Sequence, residues 1–237
     1  MMLSAPIHQL KRRARLTSRR ERIPLHAALD RIATGEGYRS WSLLIAKQPP
    51  TVPVQTLLTH LAPGDLVLMA GRPGQGKTLA SLALLAEAMR AGRRGVFFTL
   101  EYTLADVAGR LRALGLDPGE FAGLLDCDCS DAISAGHIVN VLAAAPRGTV
   151  VVIDYLQLLD QRRSTPTLEL QVRTLRAFAR EKGLTLVFIS QIDRSYDASA
   201  KPFPDIADVR LPNPLDLALF DKACFLNRGE LHFRAAA

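Results

Sequence analysis

The strongest chemistry in the chain sits in eight consecutive residues, Gly71-Arg72-Pro73-Gly74-Gln75-Gly76-Lys77-Thr78. A glycine, four residues and then Gly-Lys-Thr is the spacing of a loop that wraps phosphates. A triphosphate is held by many backbone N–H groups at once, so the chain must approach it closely. Gly71, Gly74 and Gly76 permit the backbone angles and the close approach that such a cradle needs. Arg72, Pro73 and Gln75 complete the loop. Lys77 is expected to place a point charge between the β- and γ-phosphates, and the Thr78 hydroxyl to ligate Mg²⁺. ATP with Mg²⁺ is the ligand this pattern implies.

The neighbouring sequence supplies the elements that such a loop requires. Leu66–Ala70 is a short apolar run that reads as a buried parallel strand. Leu79–Ala91 is rich in Ala and Leu and reads as a helix whose N-terminus faces the phosphates. Further strands are expected at 96–100, 149–153 and 184–190, and helices at 104–114, 133–145 and 168–182. Residues 119–131 read as an acidic, irregular passage, and 222–233 as a closing hairpin turning at Arg228-Gly229. Strands alternating with helices imply an α/β fold with a mainly parallel sheet flanked by helices. In such sheets ligands bind at the carboxyl ends of the strands. The polar residues Glu101, Asp154 and Gln191 follow three of the expected strands. Asp154 is expected to hold Mg²⁺ through water, Glu101 to orient or deprotonate an attacking water, and Gln191 to sense the γ-phosphate.

Charge marks a different region. The chain has 237 residues and a net charge of +7. Residues 1–60 hold 10 Lys and Arg against 3 Asp and Glu, whereas residues 61–237 are balanced at 20 against 20. Lys11, Arg12, Arg13, Arg15, Arg19, Arg20 and Arg22 make up most of the excess. Nucleic acid is one partner for such a run, a protein partner another, and a solvated helix face is the plain alternative. Residues 1–47 read as a basic helical module. It comprises a helix anchored by Leu10 and Leu16, a second over 25–32, and a third capped by Ser40 that carries Trp41, Leu43, Leu44 and Ile45. Residues 48–54, with three prolines, read as a linker, and 55–237 as the phosphate-binding domain.

Other chemistries find no support. No apolar run approaches the roughly 18 residues that span a bilayer, and the N-terminus lacks the apolar core of a secretory signal. Three cysteines suit a reducing cytoplasm. Cys127-Asp128-Cys129 has no partner pair at zinc spacing, and the five histidines form no ligand pattern.

Several runs occur in order: Gly64-Asp65-Leu66-Val67-Leu68-Met69-Ala70 with its glycine loop, Thr99-Leu100-Glu101, Ile153-Asp154-Tyr155-Leu156-Gln157-Leu158, Ser190-Gln191-Ile192-Asp193-Arg194-Ser195 and Asp208-Val209-Arg210. Together they resemble the RecA-like P-loop ATPase domain of DnaB-type replicative DNA helicases, over about residues 55–230. The resemblance implies ATP and Mg²⁺ binding, Glu101 as catalytic base, and assembly into a ring or filament with ATP between subunits. It also implies that single-stranded DNA meets loops carrying Arg162, Arg163, Arg194, Lys201 and Arg210. The basic module stands where that family carries a large helical domain. No clear match to the family's inter-subunit Lys/Arg pair follows Phe233; Arg228 and Arg234 are weak substitutes, so slow hydrolysis is expected. A nucleotide-dependent DNA-binding adaptor, or a recombinase-like or regulatory relative without unwinding activity, is the alternative. Aromatic residues make up only 6% of the chain, which favours DNA contacts to phosphates over base stacking.

Overall fold

Runs such as Val150–Asp154 are apolar at nearly every position, and they can bury both faces only inside a sheet covered on both sides. The computed structural model describes residues 4–5, 7–46, 52–160, 166–197, 201, 203–211 and 213–235. Among these residues the strands are β1 (Leu66–Gly71), β2 (Gly95–Thr99), β3 (Leu125–Asp128), β4 (Val150–Asp154), β5 (Thr185–Gln191), β6 (Lys222–Asn227) and β7 (Glu230–Ala235). They form one sheet in the order β3-β2-β4-β5-β1-β6-β7. Neighbours from β3 through β6 pair in parallel, and β7 returns antiparallel to β6. The fold is therefore the expected α/β, mainly parallel sheet with flanking helices.

The helices are α1 (Ile7–Glu21), α2 (Leu25–Gly35), α3 (Trp41–Ala46), α4 (Lys77–Arg90), α5 (Leu104–Ala113), α6 (Ala135–Val141) and α7 (Leu168–Lys182). The strand pleat sorts side chains between the two layers. Val67 and Met69 of β1, Phe97 of β2, Val152 of β4 and Ile189 of β5 share one core with Leu82, Leu85 and Met89 of α4 and with Val107 and Leu111 of α5. Phe98 points the other way and meets the His137 ring of α6 edge-on, at 6.4 Å between centroids. Helix α7 buries Leu168, Val172, Leu175 and Ala179. Off that face, Arg176 and Arg180 pair with Asp221 at 3.2 and 2.8 Å, and the other oxygen of Asp221 accepts the Leu66 N–H at 2.9 Å. This carboxylate fixes the start of β1.

Two expectations in this region are corrected. Residues 119–131 are not irregular throughout, since Leu125–Asp128 forms the edge strand β3 beside β2. Its residues, Leu-Asp-Cys-Asp, are all half-buried and lack β-branched side chains, so they carry little strand signal. Helix α6 is shorter than the expected 133–145 span. The Ser134 hydroxyl accepts the His137 N–H at 3.2 Å and starts the helix after Ile133. The hairpin turns at Arg228 (φ 52°) and Gly229 (φ 77°), two left-handed residues in a row, as a tight twisted hairpin demands.

The chain divides into two compact units, residues 1–50 with 196–203, and residues 51–195 with 204–237. In the smaller unit α1 packs on α2 and α2 on α3. Ser40 caps α3 through the Leu43 N–H at 3.3 Å, and Asp30 accepts the Trp41 N–H at 2.8 Å. Leu10 of α1 is fully buried, but Leu16 is 57% exposed and is not an anchor. Six residues rotate it about 240° from Leu10 on a helix, whereas Ala14, four residues on, shares Leu10's face and is buried. No helix among the described residues is long and apolar enough to cross a membrane.

Candidate active site

β1 delivers the glycine loop, and α4 begins at Lys77 immediately after it. Gly74 (φ 75°) and Gly76 (φ 84°) hold left-handed angles, which a side chain would strain. Gly71 is required for a different reason. A Cβ there would lie 2.9 Å from the carbonyl oxygen of Leu226 on β6, so the close approach is to the neighbouring strand. The first turn of α4 leaves N–H groups unpaired within the helix and turns the positive end of its dipole toward the loop.

Side chains brace the loop from both sides. The Lys77 ammonium donates to the Arg72 carbonyl at 3.0 Å. The Arg72 guanidinium donates to the Arg194 carbonyl at 3.3 Å. Gln75 accepts the backbone N–H of Arg228, in the β6–β7 turn, at 2.6 Å.

Strands β2, β4 and β5 bring the remaining polar residues to the same end of the sheet. Thr78 donates its hydroxyl hydrogen to Asp154 Oδ2 at 3.0 Å. Asp154 is 3% exposed. Burial raises its pKa to about 6; the Thr78 hydrogen bond opposes this, the Glu101 charge adds to it, and the positive charges of Lys77 and Arg110 oppose it. Burial also lowers the pKa of Lys77, against the attraction of Asp154 and Glu101. Glu101 is held at the strand end by its backbone N–H, which donates to the buried Thr99 hydroxyl at 3.1 Å, while its side chain stays exposed.

Pro73, Gly74, Gly76, Lys77, Thr78, Glu101, Asp154 and Gln191 line a single cleft of about 380 Å³. Gly71, Arg72 and Gln75 support the loop from behind. The cleft also takes in Tyr102, Arg110 and Tyr155, which sequence reasoning missed. Tyr102 and Tyr155 each follow a strand-end acid, which was the available signal. Arg110 lies on α5, and only its place one helical turn beyond Asp106 marked it. The Asp154–Tyr155 peptide bond is cis. The donor set at Thr78 and Asp154 consists of hard oxygens, and no group of three or more His, Cys, Asp or Glu gathers among the described residues. Such a sparse set suits an ion that keeps waters and takes phosphate oxygens, as Mg²⁺ does, better than one needing an all-protein cage.

The nucleic-acid candidates are scattered. The loop at Arg210 is joined to the cleft: the Arg210 N–H donates to the Gln191 carbonyl at 2.8 Å, and the Arg210 carbonyl accepts from Gln157 at 3.1 Å. Arg194 is joined to the glycine loop through Arg72. Lys201 belongs to the smaller unit, where its carbonyl accepts the Tyr196 hydroxyl at 2.8 Å. Arg162 and Arg163 lie outside the described residues.

Two family models match adjoining parts of the chain: the DnaB-like helicase C terminal domain over residues 137–230, and KaiC ATPase over residues 56–127. A "Probable plasmid replicative DNA helicase" of Chlamydia trachomatis is 27% identical over 202 residues, covering 72% of this chain and 44% of the relative. The replicative DNA helicase DnaB of Synechocystis sp. is 27% identical over 177 residues, 62% of this chain and 20% of the relative. The chain thus spans less than half the length of these relatives. Among solved structures, a helicase ATPase domain superposes with a TM-score of 0.59 at 19% identity, covering 79% of this chain and 80% of that one. A KaiC-like protein of Pyrococcus horikoshii OT3 superposes with a TM-score of 0.54 at 19% identity, covering 75% and 80%. With its glycine loop, strand-end acids and sheet order, the chain is a P-loop ATPase whose RecA-like domain is similar to that of DnaB-type helicases.

Proposed function

We propose that the larger unit binds ATP with Mg²⁺, hydrolyses it, and couples that cycle to single-stranded DNA as a DnaB-like motor. The observation that carries this reading is the convergence of Lys77, Thr78, Glu101, Asp154 and Gln191 on one cleft at the carboxyl ends of four strands. In this reading Gly71–Thr78 cradles the phosphates and Lys77 neutralises the β- and γ-phosphate oxygens. Thr78 and Asp154 hold Mg²⁺, which supplies charge neutralisation when bound. Glu101 accepts the proton of the attacking water as its oxygen bonds to the γ-phosphorus, and the β–γ bridging oxygen departs with ADP. Positioning and electrostatics carry most of such a reaction.

Coupling to DNA is supported by the hydrogen bond from the Arg210 N–H to the Gln191 carbonyl. A residue lining the phosphate end of the cleft thereby shares a backbone link with a basic loop. Arg162, Arg163, Arg194, Lys201 and Arg210 are the proposed phosphate contacts. Assembly into a ring or filament is proposed from the names of the relatives, and the three free thiols suit a cytoplasmic setting. Lys11, Arg12, Arg13, Arg15 and Arg19 are all exposed on α1, which favours a polyanion as that module's own partner.

The test is the ATPase rate with and without single-stranded DNA, at protein concentrations that permit assembly, beside a strand-displacement assay. Stimulated turnover with displacement supports the motor. Tight ATP binding with neither assigns the chain to the adaptor class. DNA affinity should fall steeply with salt; affinity indifferent to salt would remove the phosphate-contact reading.

A further inference from the structure

We infer that Arg110 is a catalytic arginine supplied in cis, placed to contact the γ-phosphate end of the nucleotide from the wall opposite Lys77. The inference rests on the ATPase reading of this cleft and adds a residue to it.

The guanidinium carbon of Arg110 lies 3.7 Å from the centroid of the Tyr102 ring, and its Nη1 donates to the Asp106 carbonyl at 3.3 Å. These two contacts fix a long side chain that otherwise has many rotamers. Both fixtures are rigidly mounted. Tyr102 directly follows Glu101 at the tip of β2. Asp106 sits in the first turn of α5, where Thr103 and Asp106 exchange hydrogen bonds as a capping box. Arg110 is half-buried and lines the same cleft as Lys77, Thr78, Glu101 and Asp154. Its positive charge is felt at the buried Asp154 carboxyl. No carboxylate forms an ion pair with it among the described residues, because Asp106 is engaged by Thr103 and Asp154 by Thr78. A guanidinium held out of water without a carboxylate is poised for an anionic ligand. The anion that this cleft is built to receive is a phosphate, and the planar fork of Arg matches two of its oxygens.

The placement bears on the expected slow hydrolysis. Charge that accumulates on the γ-phosphate oxygens in the transition state needs a positive group beyond Lys77 and the metal. Arg110 supplies one without a neighbouring subunit.

The experiment compares wild type, Arg110→Ala, Arg110→Lys, Tyr102→Phe and Tyr102→Leu. It measures steady-state ATPase and, separately, the affinities for fluorescent ADP and for a fluorescent non-hydrolysable ATP analogue. Arg110→Ala should lower kcat about 10²–10³-fold. It should weaken binding of the ATP analogue while ADP affinity stays within about threefold. Arg110→Lys should recover part of the loss. Tyr102→Phe keeps the ring and should stay near wild type, and Tyr102→Leu should fall between. Unchanged kcat in Arg110→Ala overturns the inference, as does an equal loss of ADP and ATP-analogue affinity. Retained ADP binding certifies that the variant is folded. If wild type turns over no ATP, the ATPase reading fails on its own account, and the ratio of the two nucleotide affinities still decides whether Arg110 meets the γ-phosphate.

Discussion

The Thr78 hydroxyl donates to Asp154 Oδ2 across 3.0 Å, joining the first turn of the loop helix to the tip of the central strand. It is a single neutral donor on a carboxylate that is 3% exposed. One such bond does not offset the loss of water, which is why burial leads among the causes raising the Asp154 pKa to about 6.

The first prediction concerns stability without nucleotide or metal. A carboxyl whose folded pKa stands above its unfolded value favours folding while protonated. That contribution is complete below about pH 4 and is lost as pH rises through about 6. At neutral pH, Asp154→Asn should therefore be more stable than wild type, by up to about 3 kcal/mol. The difference should shrink to near zero at pH 4. Chemical denaturation of both proteins at the two pH values checks this. Equal stability at pH 7.5 would mean that burial does not raise the pKa of this carboxyl. The same variant should lose ATP turnover.

Asp221 should respond with the opposite sign. Burial pushes its carboxyl up, but the Leu66 N–H and the Arg176 and Arg180 guanidinium groups win and hold its pKa below the usual value. Its contribution is present above the ordinary Asp range and is lost as pH falls through the lowered pKa. Asp221→Asn should cost about 1–2 kcal/mol at pH 7, discounted for the partial exposure of the arginines. Most of that cost should disappear near pH 2–3. A thermal-melt series across pH reads it, and a cost constant with pH would show that the loss is packing rather than charge.

The three glycines of the loop should fail in different ways. Gly71→Ala drives a Cβ to 2.9 Å from the Leu226 carbonyl, a backbone atom that cannot turn aside. It should lower stability by about 1–3 kcal/mol through displacement of β6. Alanine at Gly74 or Gly76 meets nothing within 4 Å, so the cost there is the left-handed angle alone, about 1–2 kcal/mol. Nucleotide affinity should suffer more at these two positions than the melting temperature does. Melting curves beside nucleotide titrations separate the classes.

Within the reaction itself, Lys77→Ala should abolish measurable nucleotide binding. Glu101→Gln should bind ATP as wild type does and turn over about 10²–10⁴-fold more slowly. Single-turnover kinetics on the Gln variant test the assignment, and turnover at the wild-type rate would remove Glu101 as the base.

Much of this site could be read from the chain because its residues fall at strand ends, where apolar runs stop at a polar residue. Glu101, Asp154 and Gln191 are each found that way, and the glycine loop announces itself by spacing. Arg110 and Tyr102 gave no such signal. Their pairing depends on how α5 docks against the tip of β2, a tertiary fact that no periodicity encodes. Strand β3 escaped for a related reason: a half-exposed four-residue edge strand is stabilised by its neighbour β2 more than by its own residue types. The role of Gly71 was legible as a requirement but not as a cause, since its constraint comes from a strand that lies more than 150 residues later in the chain.

That distance has a consequence for how the protein comes into being. Strand β1, which bears the phosphate loop, is flanked in the sheet by β5 and β6 rather than by β2. While the ribosome is still making the middle of the chain, the loop hangs from a strand with both edges bare. Nucleotide could not assist the early stages of folding, because the pocket's floor arrives with residues 185–191 and its far wall with 222–227. A nascent chain halted before Lys222 would display a glycine-rich loop beside an unpaired apolar edge, an invitation to chaperones and to aggregation alike.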